Sequence, residues 1–285
     1  MENGLVNEIR AVAVPKTFRD NTPYISLSVE QAALLARKYS LGGHRIEIEA
    51  LQAGIVPERY ARNMRTFSRP EQVVLLQSRV SVVGLGGLGG GVTEILARIG
   101  IGSLNLMDGD TFEDSNLNRQ FLSTHEGLAK PKAEAAVARI RAVNASVAVE
   151  AHTEFLDADN AAGLLAGSQV VVDCLDSLKF RFILEAACKT AGIPLVSAAI
   201  AGMAGHVTTI FPEDIGLKLI YGEKDRLPVR GAEASLGTLP PCVTILSALE
   251  TSEVVKVLLK RGVLLRNRLL VVDLMDNTME VLKLQ

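Results

Sequence analysis

From Arg79 onward, short apolar runs alternate with amphipathic stretches at intervals that suit strand, loop and helix in turn. Val80–Val83 is a buried-type strand that runs into Gly84-Leu85-Gly86-Gly87-Leu88-Gly89, and a helix is predicted from about Leu88 to Ile99. The strand Ser103–Met107 follows and ends at Asp108. Lys132–Val143 has helical spacing, Val147–Ala151 is rich in β-formers, and Val170–Asp173 is another apolar run. A helix over Phe180–Ala191 leads into a strand over Pro194–Ala198. A long helix is predicted for Val243–Arg261, then strands at Leu269–Asp273 and Met279–Leu284 that suit a hairpin. This alternation predicts an α/β fold with a doubly wound, mostly parallel, Rossmann-like sheet.

Residues 1–55 do not share the pattern. Ser28–Tyr39 opens with Ser-x-x-Gln, a capping box, and carries apolar residues at helical spacing from Val29 to Ala36. Gly42-Gly43 then breaks the chain. We read residues 1–55 as a small N-terminal helical appendage and 56–285 as the α/β domain. The longest uncharged stretch, Ala191–Pro212, contains three Gly and two Pro and suits strand–turn–strand, not a membrane span.

Composition narrows the function by exclusion. The net charge is −2 with no basic block, which provides no electrostatic footprint for nucleic acid or an anionic membrane. Aromatic residues make up 4 % and Trp is absent, against a stacking platform for single strands. Cys174, Cys188 and Cys242 form no Cys-x-x-Cys pair, so no four-cysteine zinc site is expected within the chain. The four histidines lack metal-ligand spacing, although His125 falls between the polar run Asn116–Gln120 and Lys132. Acids early in the N-terminus argue against a signal peptide, and a cytoplasmic protein is expected.

Gly84-x-Gly86-x-x-Gly89, between a strand and a helix, lets backbone amides and a helix N-terminus approach phosphate. Asp108 ends the next strand, where an acid accepts hydrogen bonds from a ribose hydroxyl. This pair of features does not separate ATP from NAD, and glycines can also serve close helix–strand packing alone. The following segment does separate them. Asp108-x-Asp110 precedes Ser115-Asn116-Leu117-Asn118-Arg119-Gln120 and Lys130-Pro131-Lys132. A triphosphate needs fixed positive charge: Arg119 can fork onto its oxygens, and Lys132, opening a helix, can place a point charge beside them. A solvated loop with surface basic residues is the plainer alternative, and Lys130 fits it better than Lys132.

The segments SRVSVVGLGGLGG, MDGDTFEDSNLNRQ, LAKPKAEAA and VVDCLDS resemble the nucleotide-binding core of the ThiF/MoeB/HesA adenylyltransferases, relatives of ubiquitin-activating E1 enzymes. Arg59-Tyr60-Ala61-Arg62-Asn63 and GTLPPCVTILSALETSEVVKVLL extend the resemblance over about residues 58–285. It implies that the glycine loop (Gly84, Gly86, Gly87, Gly89) faces ATP, with Asp108 on the ribose and Asp110 nearby. It implies that Asn116, Arg119 and Lys132 hold the triphosphate and that Asp176 binds Mg²⁺, although Asp176 also suits a helix N-cap. Arg62 would reach across a homodimer interface into the neighbouring site, or be an ordinary surface arginine. The implied reaction is attack of a carboxylate on the α-phosphate, with acyl-adenylate and pyrophosphate as products. The implied partner is a ubiquitin-like sulfur-carrier protein ending in Gly-Gly.

The chain departs from the family pattern in three places. It lacks the paired Cys-x-x-Cys of zinc-holding members, so ATP and Mg²⁺ are expected without zinc. Val229–Leu236, where many members carry a reactive cysteine, has none. The usual Asp-Asn is here Asp176-Ser177. Cys242 follows Pro240-Pro241 at a predicted helix N-terminus, a position that can lower a thiol pKa, but burial as a structural cysteine is the simpler expectation for all three. Two other functions stay open at this point: adenylation of a small molecule or a modified tRNA base, and a non-enzymatic or NAD-binding Rossmann protein.

Overall fold

The computed structural model describes residues 2–223 and 233–284. Its N-terminal unit runs α1 (Glu2–Val12), β1 (Val14–Thr17), β2 (Pro23–Leu27), α2 (Val29–Tyr39), α3 (Gly43–Gln52) and β3 (Val56–Pro57). Ser28 caps α2 as its sequence suggests, its Oγ accepting the Gln31 N–H at 3.1 Å. The appendage is more than helical: β1 and β2 pair antiparallel, β3 adds in parallel, and the small sheet runs on through Pro57. α1 and α3 were not predicted, because their apolar positions become a core only when Leu5, Ile9, Leu27, Leu35 and Ile46 meet. A buried polar joint ties this unit to the rest. The Tyr60 hydroxyl donates to Glu47 Oε2 at 3.2 Å and accepts from Asn144 Nδ2 at 3.1 Å.

The larger unit continues with α4 (Arg69–Gln77), β4 (Arg79–Val83), α5 (Gly87–Ile99), β5 (Ser103–Met107), α6 (Lys132–Val143) and β6 (Ala148–His152). Then follow α7 (Ala161–Leu164), β7 (Val170–Asp173), α8 (Leu178–Ala191), β8 (Leu195–Ala201), β9 (Ala204–Ile210) and α9 (Lys218–Tyr221). α10 (Glu233–Leu236), α11 (Pro240–Leu259), β10 (Arg268–Asp273) and β11 (Thr278–Lys283) complete it. Pro240 opens α11 at a position where no backbone N–H is needed, which starts that helix three residues before the expected Val243.

One sheet has the order β11-β10-β9-β8-β7-β4-β5-β6. Strands β8, β7, β4, β5 and β6 are mutually parallel, and β9, β10 and β11 continue antiparallel, the last two as the expected hairpin. Val80, Val82, Val170 and Val172 are fully buried, as central strands covered on both faces require. The chain leaves β4 for β5 on one side and reaches β7 on the other. That reversal opens a crevice at the carboxyl ends of β4 and β7, where doubly wound sheets bind ligands.

A candidate nucleotide site at the switch point

A cleft of about 1600 Å³ occupies this crevice. Its floor is the β4–α5 turn. Gly84 has φ +88°, and a Cβ there would lie 2.6 Å from the Cys174 carbonyl oxygen, so the left-handed turn and the contact with the end of β7 both demand glycine. A Cβ on Gly89 would lie 1.8 Å from the Gly84 oxygen. Gly89 thus packs the helix onto its own turn and does not line the cleft, whereas Gly84, Gly86 and Gly87 do. The first-turn amides of α5, which have no partner within the helix, open toward the cleft.

Asp108, at the end of β5, braces that turn. Its Oδ2 accepts the Leu85 N–H at 2.6 Å and its Oδ1 the Asp110 N–H at 2.8 Å. Burial pushes its carboxyl above the ordinary aspartate range, against the pull of those two amides and of the Lys132 ammonium. Lys132 is nearly buried at the start of α6 and donates to Asp110 Oδ2 at 3.1 Å. Arg119 also reaches the cleft, its Nη1 donating to Ser115 O at 2.9 Å and Asn118 Oδ1 at 3.0 Å. Asp176 lies exposed on the opposite wall and makes no hydrogen bond or ion pair among the described residues. The N-cap of α8 is Ser177, not Asp176, which leaves the aspartate oxygens available for a ligand.

Asn116, expected at the triphosphate, does not line the cleft. Asn116 is buried with its Oδ1 accepting the Glu113 N–H at 3.1 Å; it shapes the turn, and Asn118 takes the place on the cleft wall. Arg62 is exposed and does not line the cleft of its own chain. His125 is exposed outside the cleft as well.

None of the thiols is activated. Burial, with Asp273 nearby, pushes Cys242 up to about 11, opposite to the lowering that a helix N-terminus can bring. Burial also raises Cys174 and Cys188. In the loop Val229–Leu236, residues 229–232 lie outside the described residues.

Beneath the cleft lies a polar network that motif reading missed. Asp173, fully buried, accepts from Ser197 Oγ at 2.7 Å, from Arg181 Nη1 at 3.2 Å and from the Leu175 N–H at 3.1 Å. Arg181 also donates to Ala198 O at 2.6 Å and to Leu175 O. The turn that presents Asp176 is therefore pinned from below by an ion pair. A charged residue closing an all-valine strand was the available signal. Glu250 of α11, fully buried, accepts from the Cys174 thiol, and burial beside Asp173 raises its carboxyl well above the ordinary value. At the far end of the cleft His206 Nε2 meets the Tyr221 hydroxyl at 3.0 Å, and burial with the Arg181 charge pushes His206 down to about 4.

A glycine turn, an acid at the end of β5, two cations and an exposed carboxylate in one crevice are the parts that the family resemblance requires. Residues 60–285 match the ThiF family. This chain belongs to it. Among curated relatives of this ThiF-family chain, the SAMP-activating enzyme E1 of Haloferax volcanii is 38% identical over 228 residues, covering 78% of this chain and 83% of that one. The molybdopterin-synthase adenylyltransferase of Salmonella typhimurium is 33% identical over 233 residues, covering 79% and 92%. Among solved structures, E. coli MccB with MccA superposes with a TM-score of 0.68 at 19% identity, over 99% of this chain and 87% of that chain. That likeness concerns the fold alone, and it takes in the N-terminal unit of this ThiF-family chain.

Proposed function

We propose that the protein adenylates the C-terminal carboxylate of a ubiquitin-like sulfur-carrier protein ending in Gly-Gly. The observation that carries this is the meeting of Asp108, Arg119, Lys132 and Asp176 around one glycine turn, in a ThiF-family chain. The relatives named as an activating enzyme and an adenylyltransferase support the same reading.

A carboxylate oxygen of the carrier attacks the α-phosphorus of ATP, the bond to the bridging oxygen breaks, and pyrophosphate leaves. The nucleophile is already ionised, so the cleft needs placed charge rather than a general base. Lys132 and Arg119 answer the negative charge on the phosphates, the α5 amides hold them, and Asp108 keeps the ribose. Asp176 would hold Mg²⁺: its free oxygens fit, since this ion takes one or two carboxylates and fills its shell with phosphate oxygens and water. When bound there, the ion would neutralise phosphate charge. The far lobe is lined by Ala199, Ala201 and Gly205, small residues that leave room for an extended glycine tail.

The reading includes a homodimer in which Arg62 serves the partner's site, consistent with its place outside its own cleft. Mixing inactive Arg62→Ala and Lys132→Ala chains should then restore about one quarter of wild-type activity through random heterodimers. It also includes a cytoplasmic setting and no zinc, the latter open to elemental analysis. No helix among the described residues is long and apolar enough to cross a membrane. The decisive experiment is ATP–pyrophosphate exchange with a Gly-Gly carrier and with the same carrier lacking its last two residues. Exchange with the intact carrier alone is expected; exchange with a small carboxylate or tRNA, and none with the carrier, would overturn the assignment.

A further inference from the structure

We infer that the β1–β2 hairpin is a brace that grips the turn over residues 58–65 and so presents Arg62 at a fixed place; this rests on the homodimer proposed above, in which Arg62 serves the partner's site. Arg62 stands between two single helical turns, Glu58–Tyr60 and Asn63–Arg65. Turns this short do not hold their shape unaided. Both are held from outside. Arg62, between them, is exposed and makes no hydrogen bond or ion pair among the described residues.

One grip is on Glu58. Its Oε2 accepts from Ser26 Oγ at 2.6 Å and from the Tyr24 hydroxyl at 3.1 Å, and its Oε1 meets Lys16 Nζ at 3.2 Å. The other grip is on Arg65. Its Nη2 donates to Asp20 Oδ2 in the loop of the hairpin, and its guanidinium lies over the Phe18 ring, 4.5 Å from the centroid. Phe18 stacks on Tyr24 with ring centroids 4.1 Å apart, so one aromatic pair joins the two grips. Between them Glu47 of α3 takes Arg59 Nε at 3.1 Å and the Tyr60 hydroxyl at 3.2 Å.

The hairpin is not built for the core. All four residues of β1 are exposed, and the core of the N-terminal unit takes only Leu27 from the two strands. The Arg65–Asp20 pair is about half exposed on both sides, and surface pairs of that kind add little stability. Such contacts still fix direction. A side chain that acts across an interface loses its effect when its backbone drifts by about 1 Å. Lys16, Phe18, Asp20, Tyr24 and Ser26 all precede residues 60–285, which match the ThiF family. The N-terminal unit thus takes part in the reaction from outside the family's own domain, by holding the turn that carries Arg62.

Subunit mixing tests this, with ATP–pyrophosphate exchange as the readout. A chain with Glu58→Ala and Arg65→Ala loses both grips and keeps its own Lys132. As a homodimer it should lose exchange toward the roughly 10²-fold that a misplacement of about 1 Å can cost. Mixed equally with Lys132→Ala chains, it should recover to about one quarter of wild type, because its intact cleft then receives a well-held Arg62 from the other chain. Asp20→Ala, a single exposed change that releases Arg65 alone, should lose less and be complemented in the same way. Glu58→Gln, which keeps an acceptor for Ser26 and Tyr24, should stay within a few-fold of wild type. A hairpin that served only its own chain's fold or cleft would give no recovery with Lys132→Ala chains. That result for both variants, with Arg62→Ala chains recovering, would overturn the brace, and so would wild-type exchange in the double variant. No recovery with Arg62→Ala chains would instead overturn the shared-site reading, and the brace with it.

Discussion

Lys132 Nζ sits 3.1 Å from Asp110 Oδ2, and the pair joins a lysine side chain that is 8% exposed to an aspartate that is 55% exposed. The buried stem fixes where the charge stands, and the exposed partner can yield when phosphate arrives. Lys132→Ala and Arg119→Ala should each lower pyrophosphate exchange by roughly 10²-fold, as for loss of a preorganised electrostatic donor. Asp110→Asn should cost less, because it removes the lysine's tether and not its charge. Initial exchange rates within a few-fold of wild type for both cation variants would defeat the phosphate assignment.

Asn116 and Asn118 separate fold from ligand. Asn116→Ala removes the acceptor of the Glu113 N–H and should lower stability by about 1 kcal/mol, a typical capping loss, with little change in ATP affinity. Asn118→Ala, on the cleft wall, should do the reverse. Thermal unfolding and an ATP titration on each variant decide it; an Asn116→Ala protein of normal stability and weakened ATP binding would restore the direct role that its motif suggests.

Adenylation should proceed without an enzyme thiol. With all three cysteines raised by burial, few thiolates exist near neutral pH. A protein with Cys174, Cys188 and Cys242 all replaced by Ala should release pyrophosphate in a single turnover with wild-type amplitude, despite some loss of packing. A thioester trapped on Cys242 of the native protein would refute this.

Glu250 predicts a pH dependence of stability. Its folded carboxyl is raised above the ordinary 4.5, first by burial and then by Asp173, against the nearby Arg181 and the Cys174 hydrogen bond. As pH climbs past the unfolded value, the unfolded chain releases a proton that the folded chain keeps, so this group costs progressively more stability until its folded pKa is reached. Glu250→Gln removes that slope. The melting temperature of the variant relative to wild type should therefore climb as pH rises above the ordinary 4.5. A difference that stays flat or shrinks over that range would show that Glu250 ionises normally.

Much of the fold could be read from the chain itself, because the parallel strands are buried on both faces and leave continuous apolar runs such as Val170–Asp173. Ser103–Met107 and Lys132–Val143 begin and end in the structure where their periodicity placed them. Asp108, Arg119, Lys132 and Asp176 were legible for a related reason: each lies within or next to a motif at the end of an element, and element ends at a switch point face the cleft. The tertiary structure decided everything that depends on who meets whom across elements. A step of two residues along a short turn puts Asn118 and not Asn116 on the cleft wall. Gly89 is required by the oxygen of Gly84 and not by a ligand. Arg181 pins the Asp176 turn only because α8 returns over β7. α1, α3 and the sheet β1-β2-β3 became visible only when their half-apolar faces closed on one another. Periodicity records which face of an element is buried, whereas the partner buried against that face is set by strand order and register, which no local stretch of sequence carries.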